Sequence, residues 1–159
     1  MNIRAAVVGD ERSLAVLNDV VQRLHVARRS DFFKPTQIDE VAAWFTPLLQ
    51  KPTTGIWLAE DGGAPIGYVL AFLHERAANP FCPARRWCEI DQIAVRPDHQ
   101  RRGVGRALIE TVLTWARAEG AGDIELSTWS FNDAAQRMFT GLGFVPKIVR
   151  FEHKPPGPR

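Results

Sequence analysis

The sequence predicts an α/β (α+β) domain in which about four helices cover a mixed sheet of six or seven strands. Three observations carry that prediction. Apolar residues recur at helical spacing between residues 14 and 49, and short β-rich runs separated by turn residues fill 56–95. Helical and strand patterns then alternate to near the C-terminus. An early hairpin followed by alternation gives a sheet with both antiparallel and parallel pairs, whose faces helices must cover.

Each element has a local reason. The run IRAAVV alternates loosely and meets Gly9 and Asp10, which reads as a strand entering a helix cap. Leu14, Leu17, Val21 and Leu24 then form the apolar stripe of a helix over about 11–28. Thr36 with Asp39 has capping-box form ahead of Val41, Trp44, Phe45, Leu48 and Leu49, and Pro47 should bend or break the last turn of this second helix. IWLAE, the DGGAP turn and IGYVLAFLHE predict a hairpin. The loop RAANPFCPARR leads to a further strand, WCEIDQIAV, that ends before Pro97. Val104, Leu108, Val112 and Trp115 mark a third helix, which Gly120 and Gly122 stop. DIELSTW alternates as a strand, and Asn132 can cap a shorter helix carrying Ala135, Phe139 and Leu142 that Gly143 closes. FVPKIVRFEHK predicts one or two final strands. No internal repeat or low-complexity linker divides the chain, so a single domain is expected over 1–153, with 154–159 a disordered tail.

The composition excludes several function classes. Twenty basic and eighteen acidic side chains leave a net charge of +2, which argues against a nucleic-acid partner. No run of eighteen apolar residues occurs and the first residues lack a signal-peptide pattern, so no membrane partner and a soluble, cytoplasmic protein are expected. Cys82 and Cys88 match neither zinc nor redox spacing and read as ordinary thiols; no metal is expected.

The stretch QRRGVGR, residues 100–106, joins a strand to a helix, where unpaired helix amides and the helix dipole make a ready anion site. Gly103 and Gly105 remove side chains where a phosphate would sit, and Arg101, Arg102 and Arg106 supply charge for its oxygens. The dinucleotide pattern GxGxxG fails at Leu108, and the Walker loop is missing.

QRRGVG resembles the acetyl-CoA signature of the GCN5-related N-acetyltransferase (GNAT) superfamily, written as Gln or Arg, two variable residues, Gly, a variable residue, then Gly or Ala. IDQIAVRPDHQRRGVGRALIETVLTWA is similar to the strand, turn and helix of that motif, and NDAAQRMFTGLGF to the motif that follows. The resemblance implies a mostly antiparallel sheet, splayed centrally, with acetyl-CoA as cosubstrate. It implies that the amides from Arg101 to Arg106, Val104 included, hold the pyrophosphate. The strand backbone at Ile93, Ala94 and Val95 would bind the pantetheine arm and acetyl carbonyl. Asn132 falls where the family often contacts the coenzyme, although a plain helix cap explains it equally well. The tyrosine that often protonates the leaving thiolate is replaced by Phe139, which puts the acid step in doubt.

An amine must be neutral to attack a thioester, and a free alkylamine is mostly protonated near neutral pH. Something must therefore take its proton. Glu89, which corresponds to the catalytic glutamate of the histone-acetylating members, is the first candidate base and Asp91 the second. Strand alternation would put both on the face of Ile93 and Val95, unless Arg85 or Arg86 pairs with the two acids instead. The family builds its acceptor pocket from the first two helices, their connecting loop and the hairpin, which implicates His25, Asp31, Phe32 and Phe33. His25 also reads as a semi-buried packing residue, Phe32 and Phe33 as core or pocket wall, and Asp31 as an ammonium ligand or a helix end. The expected activity is N-acetylation of a primary amine on a small molecule or, second, on a peptide. A homodimer is the family-based expectation, and a non-catalytic acyl-CoA sensor is the alternative.

Overall fold

The computed structural model describes residues 1–154, and the chain divides into two compact units, Met1–Ser127 and Thr128–Arg159. In the first, β1 (Asn2–Ala5), β2 (Thr54–Asp61), β3 (Ala64–Arg76), β4 (Arg85–Val95) and β5 (Asp123–Leu126) lie side by side in chain order. The first three pairs are antiparallel and β4–β5 is parallel. A parallel neighbour needs a crossover. Helix α3 (Val104–Ala118) supplies it, entered through a short 3-10 turn at Pro97–His99.

The period of two along β2 and β3 divides the first unit into two layers. Ile56, Leu58, Tyr68 and Leu70 face α1 (Glu11–Arg28) and α2 (Ile38–Leu48), where they form one core with Leu14, Leu17, Phe45 and Ala94. Trp57, from the opposite face of β2, meets Trp115 of α3 edge to face, ring centroids 5.1 Å apart. Leu108, Ile109 and Val112 of α3 are fully buried. Aliphatic side chains of this size each stabilise by about 1.5–3 kcal/mol on burial, which anchors β3 and β4 between helical layers.

The second unit contains α4 (Asp133–Gly141), capped by Asn132, whose side-chain oxygen accepts from the Ala135 amide at 3.2 Å. This cap and the stop at Gly120, whose φ of 74° suits glycine, agree with the sequence reading.

Several expectations need correction. Five strands form among the described residues, not six or seven. Residues 144–154 contain neither helix nor strand; Pro146 removes a ladder donor, and Val145, Ile148, Val149 and Phe151 are exposed. Strand β5 stops at Leu126, short of Trp129. Gln37, not Thr36, stands at the N-cap position of α2 and makes no side-chain capping bond, so Asp39 falls in the first turn, where its carboxylate suits the helix dipole and pairs with Arg12. Asp10 precedes α1 but does not cap it, because its carboxylate holds the Arg4 guanidinium at 2.7 and 2.9 Å and accepts from the Val7 amide. Leu24 lies off the buried stripe and is exposed. Pro47 ends α2 one residue later, as its missing donor requires. Lys154 is exposed; the rest of the expected tail, 155–159, lies outside the described residues.

Candidate active site

Strand β4 carries most of the candidate residues, and its two edges differ. On one side it pairs with β3 along its whole length. On the other, β5 accompanies it only from Trp87 to Ile90, so among the described residues the segment from Asp91 to Val95 has no strand beside it there. This is the splay that the resemblance implied.

Antiparallel partners alternate between pairs that exchange both backbone hydrogen bonds and pairs that exchange none. The Arg96 amide donates to Ile66 at 2.8 Å, which sets the phase: Ala94 bonds Tyr68, whereas Ile93 and Val95 turn their amides and carbonyls to the open edge. Ala94 therefore spends its backbone on β3, and of residues 93–95 only Ile93 and Val95 present backbone groups to the open edge. The Val95 carbonyl accepts from the Gln100 side chain at 3.0 Å, which ties this edge to the turn that follows.

That turn is built to display amides. Arg101 has φ 60° and Gly103 φ 85°, two left-handed residues flanking Arg102 at the start of α3. Alternation of this kind turns successive N–H groups toward one concavity, at the positive end of the helix dipole. Gly103 precedes α3, Val104 is buried beneath the first turn, and Arg101, Arg102 and Arg106 are exposed around it. Arg106 lies 3.6 Å from Glu110, a surface pair of little energetic weight. The donor set fits a diphosphate: fixed amides, guanidinium groups and no acidic side chain within residues 100–106.

The other end of β4 is organised by a β-bulge. Leu70 pairs with Gln92 and Ala71 with Ile90, so Asp91 is the extra residue. The bulge shifts the alternation. Glu89 shares a face with Gln92, Ala94, Phe72 and Leu70, on the side of α1 and α2, while Ile93 and Val95 face α3; the common face expected for Glu89, Ile93 and Val95 is thus broken. Nor do the arginines occupy the acids. Arg85 pairs with Asp123 and Glu125, and Arg86 with Glu75 and Glu119.

The partner of Glu89 is His74 of β3, whose Nε2 lies 2.9 Å from Oε2, off the line of a good hydrogen bond. Glu89 is 41% exposed. Asp91 is open to solvent, yet its carboxyl pKa is pushed up, first by the protein surrounding it and then by the charge of Glu89. Beneath the bulge, Asn18 of α1 donates to Tyr68 at 2.9 Å and to Gln92 at 3.1 Å, and the Tyr68 hydroxyl donates to Gln92 at 2.7 Å. Tyr68 is fully buried, and its hydroxyl pKa is driven up by desolvation. The single tyrosine of the chain is thus a structural donor. Cys88 is buried as well, its thiol pushed up to about 11 by desolvation and then by Glu89, and Cys82 is also a free thiol.

Four candidates gather at the end of α1. His25 stacks on Phe33 with ring centroids 4.7 Å apart, Phe32 meets Phe33 edge-on at 5.0 Å, and Arg29 grips Asp31 at 2.9 and 3.0 Å. Desolvation lowers the His25 pKa and favours its neutral form. Phe32 is 66% exposed. In the second unit Phe139 is buried and packs on Phe144, so its ring serves that unit's interior. His74, Tyr68, Asn18 and Gln92 escaped the sequence reading, because their meeting depends on strand register and helix placement. Among the described residues no cluster suited to a metal ion occurs, and no helix is long and apolar enough to cross a membrane.

Comparison with known proteins agrees with this geometry. N-acetyltransferase 8F1 of Rattus norvegicus is 30% identical over 95 residues, 60% of this chain and 41% of that protein. N-acetyltransferase 8 of Mus musculus is 31% identical over 91 residues, 57% of this chain and 38% of that protein. The chain thus spans about two fifths of the curated relatives it matches. Among solved structures, a tetramutant of the BH1408 protein from Bacillus halodurans superimposes with a TM-score of 0.92 at 24% identity, covering 97% of this chain and 99% of that one. The aminoglycoside N-acetyltransferase AAC(6')-Iy in complex with CoA gives 0.77 at 23% identity, covering 96% and 93%. The model of the acetyltransferase (GNAT) family matches residues 21–144, a stretch that contains the splayed strand, the amide-lined turn and the capped helix α4. The family match over residues 21–144, found together with a sheet open beside a turn of displayed amides, places the chain in the acetyltransferase (GNAT) family.

Proposed function

We propose that the protein is an acetyl-CoA-dependent N-acetyltransferase that acetylates a primary amine of a small molecule by direct attack, with Glu89 as base. The observation that carries this reading is the layout of β4. One strand runs from a carboxylate pair at a bulge, along an edge with outward backbone groups, into a turn of displayed amides. The curated relatives named above are N-acetyltransferases, and AAC(6')-Iy was solved in complex with CoA, which supports the choice of donor. A second structure of that enzyme holds a bisubstrate analogue, CoA-S-monomethyl-acetylneamine, which supports a small amine acceptor.

In this reading the amides of Arg101–Arg106 bind the pyrophosphate, and the Ile93 and Val95 backbone aligns the pantetheine arm. Bound acetyl-CoA supplies the thioester carbonyl. A Glu89 oxygen takes a proton from the acceptor ammonium, directly or through one water, and the neutral amine attacks that carbonyl. Asp91 holds a second cationic group of the acceptor or the intervening water. Tyr68 is buried and bonded, so as the C–S bond breaks the amide nitrogen gives its remaining extra proton to solvent and the thiolate takes one up from solvent; an ordinary thiol pKa of about 8.5 makes it a tolerable leaving group unaided. His25, Phe32 and Phe33 contribute an acceptor wall with one edge-exposed ring.

Thiol release from acetyl-CoA, followed across a panel of aminoglycosides, polyamines, arylalkylamines and lysine peptides, tests the proposal. The expected result is acceptor-dependent release with at least one small amine. Tight acetyl-CoA binding without release from any acceptor would favour the acyl-CoA sensor, and absence of binding would refute both.

A further inference from the structure

We propose that His74 is a positioning residue for Glu89: its N–H, once aligned with the carboxylate oxygen beside it, holds that oxygen so that the other faces the acceptor amine. The inference rests on the reading of Glu89 as base and adds a residue to it. His74 lies opposite Trp87 in the β3–β4 register, and Phe72 lies opposite Glu89, so all four side chains share one face. The imidazole stacks on the Trp87 indole, centroids 4.9 Å apart and planes 19° from parallel. Phe72 borders it edge-on at 6.3 Å, and the Arg85 guanidinium lies 4.8 Å from the Trp87 ring centre. A ring held this way has little rotational freedom. Its Nε2 is buried, makes no hydrogen bond, and lies 2.9 Å from Glu89 Oε2, so a small turn of the carboxylate aligns the pair.

The charges around the imidazole fit the role. Glu89 and Asp91 of β4 are the carboxylates near it, while Glu75, its neighbour on β3, is engaged by Arg86. A base on a strand keeps rotamer freedom unless something fixes it, and a productive proton transfer needs heavy atoms within about 2.6–3.2 Å. An N–H donated to Oε2 removes that freedom and leaves Oε1 as the basic atom. Second partners of this kind orient catalytic groups in many sites. The device joins β3 to β4, the two strands that the register binds most extensively.

Two substitutions separate positioning from packing. His74→Gln keeps an N–H within reach of Glu89 but gives up the ring, whereas His74→Phe keeps the stack on Trp87 but has no donor. With acetyl-CoA and neamine or spermidine as acceptor, His74→Phe should lower kcat about tenfold or more while the acetyl-CoA KM stays within twofold. His74→Gln should retain at least a third of the wild-type kcat. The reverse order, with Phe active and Gln impaired, would overturn the proposal in favour of packing, and equal activity of both with wild type would overturn it outright. A readout without turnover is the imidazole nitrogen resonance of His74, which should move in Glu89→Gln and would contradict the contact if it did not. Failure of the underlying reading looks different: Glu89→Gln would keep full kcat, or wild type would turn over neither amine.

Discussion

Between Arg101 and Arg106 the polypeptide displays its own backbone amides, through residues that are neighbours in the chain. At the bulge the proposed reactive groups are side chains gathered from β3, β4 and α1: His74, Glu89, Asp91 and the Asn18–Tyr68–Gln92 network beneath them. The first region needs two left-handed residues and a helix start. The second needs correct strand register, a bulge and a docked helix. In the proposed function, binding and chemistry are thus built from different materials on one strand, so they should fail separately when perturbed.

The largest expected effect is at the side-chain end. Glu89→Gln should lower kcat by about 10²–10³-fold at neutral pH, the usual worth of a positioned base, while the acetyl-CoA Kd stays within twofold; steady-state kinetics with calorimetry checks both. Next is Tyr68→Phe. It removes the hydroxyl that donates to Gln92 and accepts from Asn18, and although the direct Asn18–Gln92 bond remains, the variant should lose about 1–2 kcal/mol, read from urea unfolding. Because the network lies under the bulge, kcat should fall while the coenzyme Kd holds.

Gly103→Ala probes the backbone end. The glycine φ is 85° and no atom lies within 4 Å of an added Cβ, so the cost is conformational alone, about 1 kcal/mol, or a Tm loss of roughly 2–4 °C. Here acetyl-CoA affinity should fall severalfold with kcat at saturation little changed, the reverse of the Glu89 result. The smallest effect belongs to Asp91→Asn. The folded protein raises the Asp91 pKa above its unfolded value, so ionising this group opposes folding. The penalty is absent below the ordinary aspartate range and present above it. The variant should therefore melt slightly higher than wild type near neutral pH, and the difference should vanish in strong acid.

The same contrast explains what could be read from the chain. The turn was legible because a strand-to-helix turn is local: Gly103, Gly105 and three arginines sit within six residues. Asn132 was legible for the same reason, its cap reaching only to Ala135. Glu89 and Asp91 could be named, but their orientation could not, since one bulged residue inverts every face beyond it. His74 was invisible because its partner is fifteen positions away across a register that no local pattern fixes. Residues 144–154 misled in the opposite sense: β-branched and aromatic residues signal a strand, yet a strand also needs a neighbour for its backbone, and Pro146 interrupts the ladder.

The central claim is that β4 separates coenzyme capture from proton removal. Calorimetric titration of acetyl-CoA into Glu89→Gln, beside the wild-type protein, tests it most directly. The account predicts saturable binding of one equivalent per chain with the same Kd in both proteins. A variant that loses affinity in step with its rate, or a folded wild-type protein that takes up no acetyl-CoA, would contradict it.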